Sequence, residues 1–159
     1  MQILIILLTA SSVALAGIGG LYYSYACSVM PGLRRTDDAT FVSAMSRINA
    51  AIQNPWFALS FFGAFLGLGG ASIYSWSSGL SAAWPATLAW ALYTITLVIT
   101  IGVNIPLNNR LDVEAQAGDA GRARASFEEK WTRWNIHRTW ISLASIISLS
   151  FSWTAVAAP

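Results

Sequence analysis

Residues 56–103 read WFALSFFGAFLGLGGASIYSWSSGLSAAWPATLAWALYTITLVITIGV and contain no Asp, Glu, Lys or Arg. A Ser/Gly stretch at 77–83 divides the run, and Pro85 stands near the start of the second half. Small, polar and imino residues grouped in this way signal a turn. The two halves, 56–76 and 84–103, each approach the roughly 20 helical residues that cross a hydrocarbon core. The pattern predicts a pair of membrane-spanning helices.

The flanks repeat the pattern. Residues 1–33 and 139–159 carry no charged side chain, which predicts further spans at 3–29 and 139–157. All nine Lys and Arg and all seven Asp and Glu fall in two islands, 34–47 and 110–138. A soluble protein does not segregate charge in this way, because each surface helix needs a polar face. Composition agrees. Charged residues make up 10% of 159, against about a quarter in soluble domains. Mean hydropathy is +0.55. The net charge of +2 comes with no dense basic run, which excludes a nucleic-acid module. The single Cys27 excludes an internal disulfide and cysteine-based metal clusters. Eight Trp suit membrane interfaces. The expected fold is all-α: one integral membrane domain, a four-helix transmembrane bundle.

The first segment has a second reading as a signal peptide, since Ala14-Leu15-Ala16 looks like a cleavage site. The missing basic n-region and the apolar run onward to Val29 favour a span. With four spans, both islands lie on one side. The excess of positive charge marks that side as cytoplasmic and places both termini outside.

Small residues recur on three helices: Ser12, Ala16, Gly20, Ser24 and Ser28; Gly63, Gly67, Gly70 and Ala71; Ser142, Ser145, Ser148 and Ser152. They read as packing faces within the bundle or as a homo-oligomer face. In the first island, Thr36 and Asp37 can cap an amphipathic helix over 38–53, with Phe41, Met45, Ile48 and Ile52 on one face and Asn49 among the polar positions. In the second, Pro106 is expected to kink or break the third helix. A helix from Arg122 is expected to run on into the fourth span. Trp131, Trp134, Asn135 and Arg138 are expected to share one face of it.

Amides at membrane depth are costly unless bonded. Asn104 and Asn108, four apart, either satisfy carbonyls freed by Pro106 or line a pocket open to the cytoplasm. Asn104 or Asn108 is expected within direct or one-water reach of Arg138 or Asn135. Arg138 is either a snorkelling anchor or a fixed cation beside indoles, suited to a planar, phenolic or anionic ligand. His137, the sole histidine, is an interfacial polar residue or one axial ligand of a haem whose second ligand comes from another subunit. Tyr22, Tyr23 and Tyr25 either bond a ligand or fill the bundle. Cys27 reads as an inert small hydrophobe. No span contains a carboxylate, so proton relays and cation transport lack their usual residues. Phosphate loops, nucleophile elbows and His-based metal motifs are absent from the sequence.

The stretches GLYYSYACSVMPGL, FVSAMSRINAAIQNP, NIPLNNRL and WTRWNIHRT resemble the anthrone oxygenase-like family of small four-helix membrane proteins. The resemblance runs from Gly20 to about Ser145. It rests most on Asn104 to Asn108 and on Trp131 to Arg138. It marks Pro31, Asn49, Asn104, Pro106, Asn108, Trp131, Trp134, Asn135 and Arg138. It implies four spans, and for some members the oxidation of a tricyclic anthrone to an anthraquinone by molecular oxygen. That chemistry needs a base, an apolar pocket and enolate stabilisation, and no cofactor is required by the residues present. Arg138 with Asn49, Asn104, Asn108 and Asn135 would bind and stabilise the anion, Trp131 and Trp134 would stack on the ring, and His137 is the one conventional base. The implied partners are the lipid bilayer and a lipophilic aromatic molecule. The competing readings are a non-catalytic lipophile binder or structural partner, and a haem protein using His137.

Overall fold

The apolar runs fold into helices longer than the runs themselves. In a computed structural model describing residues 1–157, α1 spans Gln2–Leu33, α2 Asp38–Ala51, α3 Pro55–Ser77, α4 Ala83–Gln116, α5 Ala120–Ser152 and α6 Thr154–Ala157. The described residues form helices and connecting turns only. The C-terminal end at Pro159, expected on the outer side of the membrane opposite the charged islands, lies beyond the described residues.

Three helices are long and apolar enough to cross a membrane: α1, α3 and α4. The expected fourth, α5, is not among them. Its described apolar part is interrupted by Ser142, Ser145, Ser148, Ser150 and Ser152, and its first half is charged.

Of the kink or break expected at Pro106, the structure excludes the break. The turn Thr100–Asn104 is a π-turn, with Ile105 N–H donating to Thr100 O, and the helix runs on to Gln116. A matching π-turn at Tyr25–Val29, with Met30 N–H donating to Tyr25 O, carries α1 past Pro31. Each proline comes two residues after its π-turn. The wider turn makes room for a ring that would otherwise strike a carbonyl four residues back.

Helix starts follow side-chain chemistry. Asp37 caps α2 through Thr40 N–H at 2.9 Å. Asn54 caps α3 through Phe57 N–H at 3.0 Å, with Pro55 in the first turn. Asp119 caps α5 through Arg122 N–H at 2.9 Å. A cap of this type contributes about 1 kcal/mol. Gly79, at φ +64°, makes the turn between α3 and α4 that a side chain would strain.

The four long helices run alternately up and down. α1 packs on α3 and α5, and α4 packs on the same two. Close approach uses small residues. A Cβ on Gly67 would collide with Ser11 Oγ, and one on Gly69 would meet Trp90 at 3.1 Å. The serines of α5 act within the chain. Ser145 donates to Ala89 O and Ser148 to Pro85 O, both at 2.8 Å. By contrast Ala16, Gly20, Ser24 and Ser28 of α1 are exposed. The outward faces also carry Leu59, Phe62, Leu66, Ile73 and Val98. Exposed Trp56 and Trp76 stand twenty residues apart on α3, about 30 Å, the thickness of a hydrocarbon core.

Both charged islands meet at one end. There a second core of Phe41, Val42, Met45, Leu111, Phe127 and Trp131 joins α2 to α4 and α5. Arg124 fastens the 34–38 connection. It donates to Thr36 O (2.8 Å), Arg34 O (2.9 Å), Asp38 Oδ1 (3.0 Å) and Glu128 Oε2 (2.7 Å), and lies 4.6 Å from the centre of the Phe41 ring. We predict that Arg124→Ala lowers stability by about 2–3 kcal/mol, because two carbonyls and two carboxylates lose a partner. Arg34→Ala, which removes an ion pair whose arginine is 62% exposed, should cost under about 1 kcal/mol. Unfolding midpoints in detergent compare the two, and equal losses would refute the assignment.

Carboxylates at this end give an acid-sensitive seam. Thr40, through its N–H and hydroxyl, holds Asp37 below its ordinary value of 3.8. The Ser126 hydroxyl and Arg110 hold Glu114 below 4.5. Burial pushes Glu128 up, but Arg124 and Arg34 outweigh it and keep it below 4.5. Folded values below unfolded ones mean stability that is complete above the unfolded values and lost as pH falls through the folded ones. The unfolding midpoint should be level between about pH 7 and 5 and drop below about pH 4. A midpoint independent of pH down to 3 would contradict this.

Candidate functional site

Where the helices reach the charged end, they enclose a cavity of about 270 Å³. Its polar wall comes from four helices: Tyr22 and Tyr25 from α1, Asn49 from α2, Thr100, Asn104, Asn108 and Asp112 from α4, and Arg138 from α5. Gln53, in the α2–α3 connection, adds one more polar group. Leu21, Ile52, Phe57, Phe61, Ile105 and Trp131 make the apolar wall. The two π-turns shape it, since Tyr25 lies in one and Thr100 and Asn104 in the other.

Arg138 is the centre of the site. It is 4% exposed, and among the described residues no carboxylate pairs with it. Its Nη1 donates to Thr100 Oγ1 (3.2 Å) and its Nη2 to Asn135 Oδ1 (3.0 Å). Asn135 in turn donates to Tyr22 O at 3.0 Å. The guanidinium carbon lies 4.3 Å from the Tyr22 ring centre and 5.5 Å from that of Trp131. The fork is thus fixed by neutral oxygens and by two aromatic faces. Arg138 Nε has no partner among the described residues.

Other polar atoms are free as well. Asn104, 1% exposed, has neither its Oδ1 nor its Nδ2 bonded, and Asn49 Nδ2 is also unpaired. Buried polar groups ordinarily find partners. A cluster of unpaired ones around a cavity therefore points to a polar ligand group. Neither Asn104 nor Asn108 bonds Arg138 or Asn135 directly. Asn108 Oδ1 instead accepts from Trp131 Nε1 at 2.8 Å and fixes that indole against Phe127 and Tyr25.

Of the residues expected at the site, Asn49, Asn104, Asn108, Trp131 and Arg138 line the cavity, and Asn135 supports Arg138 from behind. Trp134 and His137 do not line it. Trp134 is half-buried, His137 is exposed, and their rings meet edge to face at 5.5 Å. The helix explains the split. At about 100° per residue, positions 135 and 138 fall within roughly 40° of Trp131, while 134 is turned about 60° away and 137 about 120°. Tyr22, Thr100 and Asp112 are additional members. For Thr100 and Asp112 the signal is in the sequence: positions 100, 104, 108 and 112 repeat every four residues down one face of α4.

A model of the anthrone oxygenase family matches residues 41–148, roughly two thirds of the chain. The match takes in every cavity residue from α2, α4 and α5 and leaves out Pro31 and the tyrosines of α1. No curated protein and no solved structure matches the chain significantly. With two thirds of its length and the cavity residues of α2, α4 and α5 inside the matched region, the chain belongs to the anthrone oxygenase family.

Proposed function

We propose that this protein is a four-span membrane oxygenase that oxidises an anthrone or a related phenolic lipophile with molecular oxygen, using no resident cofactor. In this reading α5 is the fourth span, Trp140 and Trp56 mark the interface at the charged end, and that end faces the cytoplasm, where positive charge collects. The observation that carries the reading is Arg138: a buried cation with no counter-ion among the described residues, beside an aromatic-walled cavity. Removing a lone charge from water is expensive, so the partner it lacks is best supplied by an anionic ligand.

An anthrone meets that need when it loses a proton, because its enolate is aromatic. The enolate oxygen would sit at Arg138 with Asn104 beside it, and the rings against Trp131 and the tyrosines. The electron-rich anion passes one electron to oxygen. The radical pair then combines at carbon to give a peroxide anion, which takes a proton from water to become the hydroperoxide, and loss of water leaves the quinone. The volume is near the lower end for small-molecule sites, which suits a compact tricyclic ring. His137 stands away from the cavity, so the proton acceptor must belong to the cavity wall.

The test is oxygen uptake by the purified protein in lipid nanodiscs with an anthrone, with the anthraquinone followed by its absorbance. We expect one oxygen molecule consumed per quinone formed, well above the spontaneous rate. Uptake at the spontaneous rate, with the lipophile still bound, would make the protein a carrier or binder instead. A Soret band lost in His137→Ala would favour haem binding.

A further inference from the structure

We propose that Asp112 is the general base of this cavity, taking a carbon-bound proton from the substrate and passing it to water outside; this rests on the oxygenase reading above. Asp112 is the sole carboxylate among the described residues that line the cavity. It also lines an open groove beside Ser46, Arg47, Ala50, Ala115 and Gln116. One side chain therefore borders both the buried site and the surface. Its Oδ1 is buried with no donor bonded to it, so no protein hydrogen bond competes for its lone pairs.

The surrounding charges fit the role. Arg138 faces the same cavity from α5, and Arg47 shares the groove from α2. Neither forms an ion pair with Asp112. The other acidic group on this helix, Glu114, is already held by Arg110 and Ser126. Asp112 closes the polar line Thr100, Asn104, Asn108, Asp112, with the base at the outer end and the anion-binding arginine at the inner end.

In the step itself, the C–H bond of the methylene opposite the carbonyl breaks and its proton goes to an Asp112 carboxylate oxygen. The electron pair stays on the substrate and moves to the carbonyl oxygen as the enolate. No oxidant takes part at this stage; molecular oxygen enters afterwards. The proton then leaves Asp112 for water in the groove beside Arg47.

Because deprotonation precedes oxygen, it can be measured without oxygen. The wild-type protein in nanodiscs, held anaerobically in deuterated buffer with an anthrone, should accelerate exchange of the methylene protons, read by NMR. Asp112→Asn should lose about a hundredfold or more of this exchange, and as much of kcat in air, with KM little changed. Asp112→Glu should recover part of both. Raising the pH until the anthrone ionises by itself should close the gap between wild type and Asp112→Asn. Exchange and turnover by Asp112→Asn within threefold of wild type would overturn the base assignment and leave the oxygenase reading standing. A deficit that persists at high pH would also overturn it, since the residue would then act by position. A wild type that neither exchanges nor oxidises would overturn both.

Discussion

Arg138→Ala is expected to lower the rate of anthrone oxidation by about a hundredfold or more in a protein that still inserts in the membrane. The size follows from the setting. The guanidinium is buried, has no counter-ion among the described residues, and is held by Thr100 and Asn135 before any ligand arrives. A fixed donor in a dry site costs no reorganisation when charge develops, so its loss should fall on kcat more than on KM. Arg138→Lys should recover little. An ammonium is a point charge and cannot hold Thr100, Asn135 and an oxyanion with one planar fork. Oxygen uptake and anthrone titration on the same preparations separate rate from affinity. Near-normal uptake by Arg138→Ala would place the chemistry elsewhere.

The parts of this fold that charge and hydropathy control were legible before any coordinates. Two islands of charge at one end, a turn at 77–83, a capped helix after Asp37 and a long last helix all follow from local composition and capping. At Pro106 the sequence leaves a kink and a break open. A π-turn ending two residues before the proline lets the helix continue, and that choice depends on packing around Thr100 and Asn104. The last helix is less apolar than the other three over its described residues, because its serines lower its hydropathy while satisfying carbonyls of α4 at Ala89 and Pro85, so hydropathy leaves its place as a fourth span to the proposal above.

The site divides along the same line. Arg138, Asn135 and Trp131 were legible because one helix face carries them at spacings of three and four. Trp134 sits at the edge of the same pattern and turned out to face His137 instead. Spacing on one helix cannot say which edge of a face meets the next helix. Asp112 was missed because it lies in a charged island, where an acidic residue ordinarily faces water. The four-residue repeat from Thr100 through Asn104 and Asn108 is the signal that puts it on the cavity face of α4. The two tyrosines of α1 were noticed but not placed, since the π-turn at Tyr25–Val29 decides where they point.

Asn104→Leu and Asn135→Leu, the same chemical change 31 positions apart, should move stability in opposite directions. Asn104 is buried with both amide atoms unpaired, and each such atom costs about 1–3 kcal/mol that leucine of similar volume removes. Its variant should keep or raise the unfolding midpoint. Asn135 is fully buried and satisfied on both sides, by Tyr22 O and by Arg138. Its variant takes one donor from Tyr22 O and one acceptor from the buried Arg138, and should lose about 2–3 kcal/mol. Binding should respond differently again. If the unpaired amide of Asn104 serves the ligand, Asn104→Leu should weaken anthrone binding by about ten- to a hundredfold, measured by quenching of tryptophan fluorescence, while the fold is untouched. A loss of stability with unchanged affinity would mean that Asn104 holds the helix past Pro106 and has no part in recognition. The ligand side of the cavity would then have to be assigned to Asn49 and Gln53 instead.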